Sequence, residues 1–236
     1  MQQAVQYELG DSIAVITLDD GTRNAMGPAV LRSLAAAVAL AEADAAAMII
    51  RGRDGIFSAG FDLQVFARSD PDEIHEMVHL GAELALSLFT SPIPLVTACT
   101  GHAYPMGAFL LLASDLVVAA DGPYQIGLNE VAIGLTLPGF AVELARATLS
   151  PPYFQRVITG EMLAPSEASR AGYIDHVVAA GELEGAVRAA ADALSRVDVA
   201  AYRATKTKVR GEAAARIRAA IDEEITVEKY RMRARR

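Results

Sequence analysis

Cysteine occurs once, at Cys99, and tryptophan not at all. A single cysteine cannot build an intrachain disulfide framework, a zinc finger or an iron–sulfur centre. That usage fits a reducing setting, and a cytoplasmic location is expected. Positive charge is also scarce. There are 21 Lys and Arg against 29 Asp and Glu, a net charge of −8. Proteins that track phosphate backbones carry the opposite balance, so no nucleic-acid partner is expected. Long apolar runs are missing too. The two longest, 103–113 and 116–120, are short and are separated by Ser114 and Asp115, so no membrane span is expected. The first twelve residues lack the basic start and apolar centre of a signal peptide. No internal repeat and no low-complexity tail is evident.

What is present is a globular composition. Hydrophobic residues make up 53% of 236 residues and charged residues 21%. A chain of this size forms one generous domain, or one domain with an appendage. It can bury roughly 70–75% of its unfolded surface without disulfides or metal.

Short strands are predicted over 4–9 and 12–18, with a turn at Gly10-Asp11. Asn24 is a candidate cap for a helix over 28–43. Buried strands follow at 47–51, 95–99 and 116–119, and a shorter one at 174–178. Asp70 before Pro71 predicts a helix over 71–90, which Pro92 and Pro94 terminate. A further helix starts near Pro105 or Met106. Buried strands alternating with helices give the α/β class. From about residue 194 the chain is alanine-rich, charged and strandless, and reads as two helices around Gly211. Its apolar stripe must be buried on its own body or on a neighbouring subunit.

Three places carry chemical potential. Two of them, 57–62 (FSAGFD) and 101–107 (GHAYPMG), join a buried strand, a glycine turn and a helix start. Each is either a tight loop or a source of unsatisfied backbone N–H groups. Two such donors from different loops would make an oxyanion hole. The third is Glu130, a lone acid between apolar runs. It is either a satisfied loop residue or a base whose pKa a partly apolar pocket raises.

In combination and order these motifs resemble the crotonase superfamily, the enoyl-CoA hydratase/isomerase fold. The resemblance rests on 23–26 (RNAM), 56–63 (IFSAGFDL), 101–115 with the SDLVVAAD run at 114–121, 127–131 (GLNEV) and 168–178. It implies a spiral of ββα units over residues 1–193 and a C-terminal helical oligomerisation region over 194–236. It also implies an acyl-coenzyme A thioester substrate and a homotrimer or hexamer. No separate cofactor is implied, because coenzyme A is part of the substrate. By motif position the thioester oxygen would meet the backbone N–H groups of Phe61 and Met106. Ser58, Ala59 and Leu63 would contact the coenzyme A moiety, and Arg23 would either reach a phosphate or stay solvated.

The pattern departs from that of enoyl-CoA hydratases, which carry two glutamates. One corresponds to Glu130; the other falls where this chain has Phe109. Met106 likewise replaces the middle glycine of the second loop. Δ3,Δ2-enoyl-CoA isomerases resemble this chain in carrying an apolar residue at the first glutamate's position. Shifting a double bond from C3=C4 to C2=C3 needs one base, whereas hydration needs a positioned water as well. The resemblance therefore favours a 3-enoyl-CoA isomerase in which Glu130 is catalytic and Phe109 lines the substrate pocket. A hydratase, a thioester hydrolase or decarboxylase, and a non-catalytic acyl-CoA binder are the alternatives. His75 and His79 have metal-pair spacing but no third ligand, so no metal is expected. His102, Tyr104 and Tyr124 are candidate pocket groups. The basic end at 229–236 reads as a solvated helix terminus.

Overall fold

The computed structural model describes residues 4–233. The chain opens with an antiparallel hairpin of β1 (Val5–Gly10) and β2 (Ile13–Leu18), paired from Val5 with Leu18 to Gly10 with Ile13. Its turn is Asp11-Ser12, one residue later than expected. Both residues adopt positive φ, 51° and 62°, as a two-residue turn matched to strand twist requires. Gly10 is instead the last strand residue.

There follow β3 (Ala25–Met26), α1 (Pro28–Asp44), β4 (Ala47–Arg51), β5 (Gly55–Ser58), β6 (Gly60–Phe61), α2 (Leu63–Arg68) and α3 (Pro71–Thr90). Then come β7 (Leu95–Cys99), β8 (Gly101–Ala103), α4 (Pro105–Ala113), β9 (Leu116–Ala120), β10 (Ile126–Gly127), α5 (Gly139–Thr148) and α6 (Pro151–Arg156). The chain continues through β11 (Met162–Leu163), α7 (Pro165–Ala171), β12 (His176–Val178), α8 (Leu183–Leu194), α9 (Val199–Glu224) and α10 (Val227–Arg233).

One sheet has the order β1-β2-β4-β7-β9-β12 and is parallel beyond the hairpin; a second has the order β11-β10-β8-β5. Each of the pairs β4–β5, β7–β8 and β9–β10 places one strand in each sheet, so the chain climbs as a spiral of ββα turns. The crossing between sheets is tight. A Cβ on Gly101 would fall 2.0 Å from the Gly55 carbonyl carbon, so only glycine fits at that corner. β4 and β7 are apolar on both faces because helices cover both. On one side α8 sets Leu183, Val187 and Ala191 against Ile49, Val96 and Val118. On the other, α1, α3 and α4 share the main core, in which Met106 through Ala113 are all buried.

Asn24 does not cap α1. Gly27 holds the N-cap position, and Asn24 lies fully buried at φ 54°, donating through Nδ2 to the carbonyls of Leu18 (2.8 Å) and Phe57 (3.1 Å). Asp70 does cap α3, accepting from the Asp72 and Glu73 N–H groups.

The C-terminal region packs on its own body. Ala213, Ile217 and Ile221 of α9 belong to the main core, so residues from 194 onward do not build a core of their own. Asp115 anchors this helix. Its carboxylate accepts from the Leu95 N–H (2.8 Å), the Tyr202 hydroxyl (2.6 Å) and the buried Lys206 ammonium (2.9 Å), and pairs with Arg210 (3.2 Å). α9 runs unbroken through Gly211; the break expected there falls at 225–226 instead. Packing on α3 and α5 outweighs the roughly 1 kcal/mol that an interior glycine costs a helix. No described helix is long and apolar enough to cross a membrane. Residues 234–236 of the basic end lie outside the described residues.

Candidate active site

The first glycine loop is fixed by buried polar contacts. The Ser58 hydroxyl donates to the Asn24 carbonyl (2.6 Å) and accepts from the Gly60 N–H (3.0 Å). The Ala59 N–H donates to the Arg23 carbonyl (2.9 Å), and Gly60 takes φ 87°. β6 pairs in parallel with β3, and the Asp62 N–H donates to the Met26 carbonyl (3.3 Å). Successive N–H groups of an extended strand point to opposite sides. The Phe61 N–H therefore points away from β3.

The second loop starts α4. Tyr104 at the N-cap makes no side-chain cap bond, and its N–H donates to the Ser58 carbonyl (2.9 Å). Pro105 has no N–H to give, and the first helical bond is Ala108 N–H to the Tyr104 carbonyl (2.9 Å). The first turn thus leaves the Met106 and Gly107 N–H groups without an intrahelical acceptor. The two loops touch, since a Cβ on Gly60 would lie 3.4 Å from the Met106 nitrogen. This arrangement brings together the two candidate donors that the sequence separates by 45 positions (61 and 106).

Glu130 opens a 3-10 turn over Val131–Ile133. Its carbonyl accepts from the N–H groups of Ile133 (3.1 Å) and Leu135 (2.8 Å), and Gly134 closes the turn at φ 81°. The residue is only 6% exposed, and its Oε2 has no hydrogen-bond partner among the described residues. Burial pushes its carboxyl up to about 7. Tyr173 is buried nearby; burial first, and then the negative charge of Glu130, raise its phenol. A carboxyl held this way can take up and return a proton near neutral pH.

A cavity of about 690 Å³ joins these parts, with Arg23, Ala59, Phe61, Leu63 and Glu130 in its wall. Three expected pocket residues are not in that wall. Ser58 is fully buried behind the first loop, where it holds the loop's shape. The Met106 side chain is fully buried and turns toward α3, leaving its backbone as the part near the first loop. Phe109, expected to line the pocket, is also fully buried. Its ring packs edge-on against Phe140 of α5, with centroids 5.3 Å apart and planes at 74°. α4 is enclosed on every side, so the residue three positions after Met106 faces α5 rather than the cavity.

His102 and Tyr104 line the cavity, as their place in the second loop allows. His102 Nδ1 accepts from the Gln125 N–H (3.0 Å), so its neutral ring carries the proton on Nε2. His75 stacks on His79 with ring centroids 5.7 Å apart. It contacts the Ile225 carbonyl through Nε2 (3.3 Å) and meets the Tyr230 ring edge-on. Among the described residues no three potential metal ligands cluster. Sequence reasoning missed the lining residues Val78, Glu224, Ile225 and Tyr230. They lie on helices, or in the case of Ile225 at the break between two, with no local motif, and only the folding of the tail back onto α3 brings them to the site.

This spiral and its loop pair define an enzyme of the crotonase class. A model of the enoyl-CoA hydratase/isomerase family matches residues 8–235, and the chain belongs to that family. A crystal structure of an enoyl-CoA hydratase/isomerase family protein from Pseudomonas syringae is 41% identical. It superposes with a TM-score of 0.91, covering 94% of this chain and 96% of that one. A Mycobacterium tuberculosis protein, 39% identical, has been solved once as a probable enoyl-CoA hydratase and once as an enoyl-CoA isomerase. The TM-scores are 0.90 and 0.89, covering 93% and 94% of this chain and 94% and 97% of those. Human mitochondrial enoyl-CoA delta isomerase 1 is 27% identical over 218 residues, covering 90% of this chain and 72% of that protein.

Proposed function

We propose that the protein isomerises 3-enoyl-CoA thioesters to 2-enoyl-CoA, with Glu130 as the single proton carrier. The observation that carries this reading is the buried Glu130 carboxyl, its Oε2 without a hydrogen-bond partner among the described residues and its pKa raised to about 7, in the wall of a cavity beside the Phe61 and Met106 loops. In the proposed step Glu130 removes a C2 proton. The C2–H electrons pass toward the thioester carbonyl, and the Phe61 and Met106 N–H groups stabilise the resulting enolate oxygen. The carboxyl then returns the proton to C4 while the double bond settles at C2=C3. No atom is gained or lost, and no cofactor is needed beyond the coenzyme A of the substrate. Arg23, Ala59 and Leu63 serve the coenzyme A end, and the working unit is a cytoplasmic trimer or hexamer.

Hydration is the second reading, and one observation favours it: Glu224 also reaches the cavity wall. It is exposed, however, and its Oε2 accepts from the Gly139 N–H (2.8 Å). Incubation with matched 3-enoyl- and 2-enoyl-CoA, with products resolved by mass and double-bond position, separates the two. Isomerisation faster than hydration is expected. Faster gain of one water by the 2-enoyl substrate would overturn the isomerase reading.

A further inference from the structure

The cavity wall differs in character along its length. Where β5 and β8 meet, it presents Arg23, His102 and Tyr104. Where α3 and the C-terminal segment meet, it presents Val78, Ile225 and Tyr230, with the exposed Glu224 beside them. The second stretch is held in place by polar contacts to the helices around it. Glu224 accepts from the Gly139 N–H at the start of α5 (2.8 Å), and His75 engages the Ile225 carbonyl (3.3 Å). Arg231 makes two bonds of 2.7 Å to Asp72, and Arg218 two of 2.5 and 2.6 Å to Glu83. The two ion pairs among these contacts add little stability singly, but two such pairs and two hydrogen bonds to backbone along one segment fix its position.

An acyl thioester has the matching asymmetry, with a charged, polar coenzyme A and an apolar tail. We infer that the acyl tail runs toward the wall of Ile225 and Tyr230, and that these two side chains set the longest chain the enzyme accepts. This inference rests on the acyl-CoA reading above but not on which reaction follows. The fold's last two helices are thereby a specificity element as well as a structural one.

The test is the affinity of a saturated acyl-CoA series from butyryl to dodecanoyl, measured calorimetrically on the full-length protein. Saturated thioesters cannot be isomerised or hydrated, so the result is independent of the reaction. Each methylene that gains an apolar wall should tighten binding about fourfold. Tyr230→Ala and Ile225→Ala should therefore raise the long-to-short affinity ratio by about tenfold or more, and Tyr230→Trp should lower it. A ratio unmoved in all three folded variants, with every chain length weakened equally, would overturn the inference. A wild type that hydrates instead of isomerising would overturn the proposed reaction and leave this ratio intact.

Discussion

Gly81 of α3 leaves the space that Met106 of α4 fills. A Cβ at position 81 would lie 2.9 Å from the Met106 sulfur and 2.6 Å from two carbons of the Phe61 ring. One glycine thus receives the side chains of both residues whose N–H groups are the candidate oxyanion donors. Gly81→Ala should push both, costing about 1–3 kcal/mol of stability by overpacking. Because the donors sit on the displaced segments, kcat should fall about tenfold or more with little change in KM. Stability loss alone, measured by denaturant titration beside steady-state kinetics, would mean that the side chains move without their backbones.

Met106 separates side chain from backbone in the same place. Met106→Gly keeps the N–H and empties a buried site, so it should cost about 2–4 kcal/mol yet retain turnover in the folded fraction. Met106→Pro deletes the donor and should abolish turnover. Equal activity of the two variants, at temperatures where both are folded by circular dichroism, would remove Met106 from the oxyanion role.

Glu130 should set the pH dependence. As the base it must be ionised, so kcat/KM should rise with pH through about 7, the value to which burial pushes its carboxyl. The stability effect has the opposite sign. A folded pKa raised above the ordinary 4.5 favours the folded protein fully below that value, and the benefit is lost as pH rises through about 7. Glu130→Gln should lose about two orders of magnitude or more in turnover. It should also be up to about 3 kcal/mol more stable than wild type above about pH 8, and no more stable below about pH 4.5. Paired denaturation curves and pH–rate profiles check both signs.

The local half of this architecture was legible in the sequence and the distant half was not. β4 and β7 read correctly because parallel strands covered on both faces are mostly apolar, interrupted here only by Thr97 and the terminal Arg51. Asp70-Pro71 and Pro105 marked helix starts through backbone chemistry that needs no tertiary context. Asn24 misled because the same amide that caps helices can span two strands when buried. Phe109 misled because motif position gives a helix and a residue number but not the direction in which a fully enclosed helix turns each side chain. Ile225 and Tyr230 carried no signal at all, since their place in the cavity depends on where a long C-terminal helix ends.

Gly211 lies inside α9, and a Cβ there would meet nothing within 4 Å. Alanine removes the unfolded chain's extra freedom without a clash, so Gly211→Ala should stabilise the protein by about 0.5–1 kcal/mol. Turnover should not change, because position 211 is not in the cavity wall. A loss of stability in urea titration would mean that the helix needs to bend there.

Phe109 gives the sharpest test of how the pocket is kept to one buried carboxylate. Its ring is fully buried edge-on to Phe140, itself 1% exposed, and neither is in the cavity wall. An acid at 109 would therefore enter the core rather than the cavity. Phe109 and Phe140 both belong to the main apolar core, and a carboxyl buried there without a partner is costly. Phe109→Glu should destabilise the fold by about 3 kcal/mol or more and gain no hydration of a short 2-enoyl-CoA. Phe109→Leu keeps the apolar character. It should cost about 1–2 kcal/mol while leaving the preferred reaction in place. The two variants together separate packing from chemistry, since only the acid could recruit a water. Measurable hydration by Phe109→Glu at an undiminished melting temperature would show that the side chain at 109 reaches the cavity in solution, and that Phe109 bars the second acid of a hydratase from inside the pocket rather than from behind it.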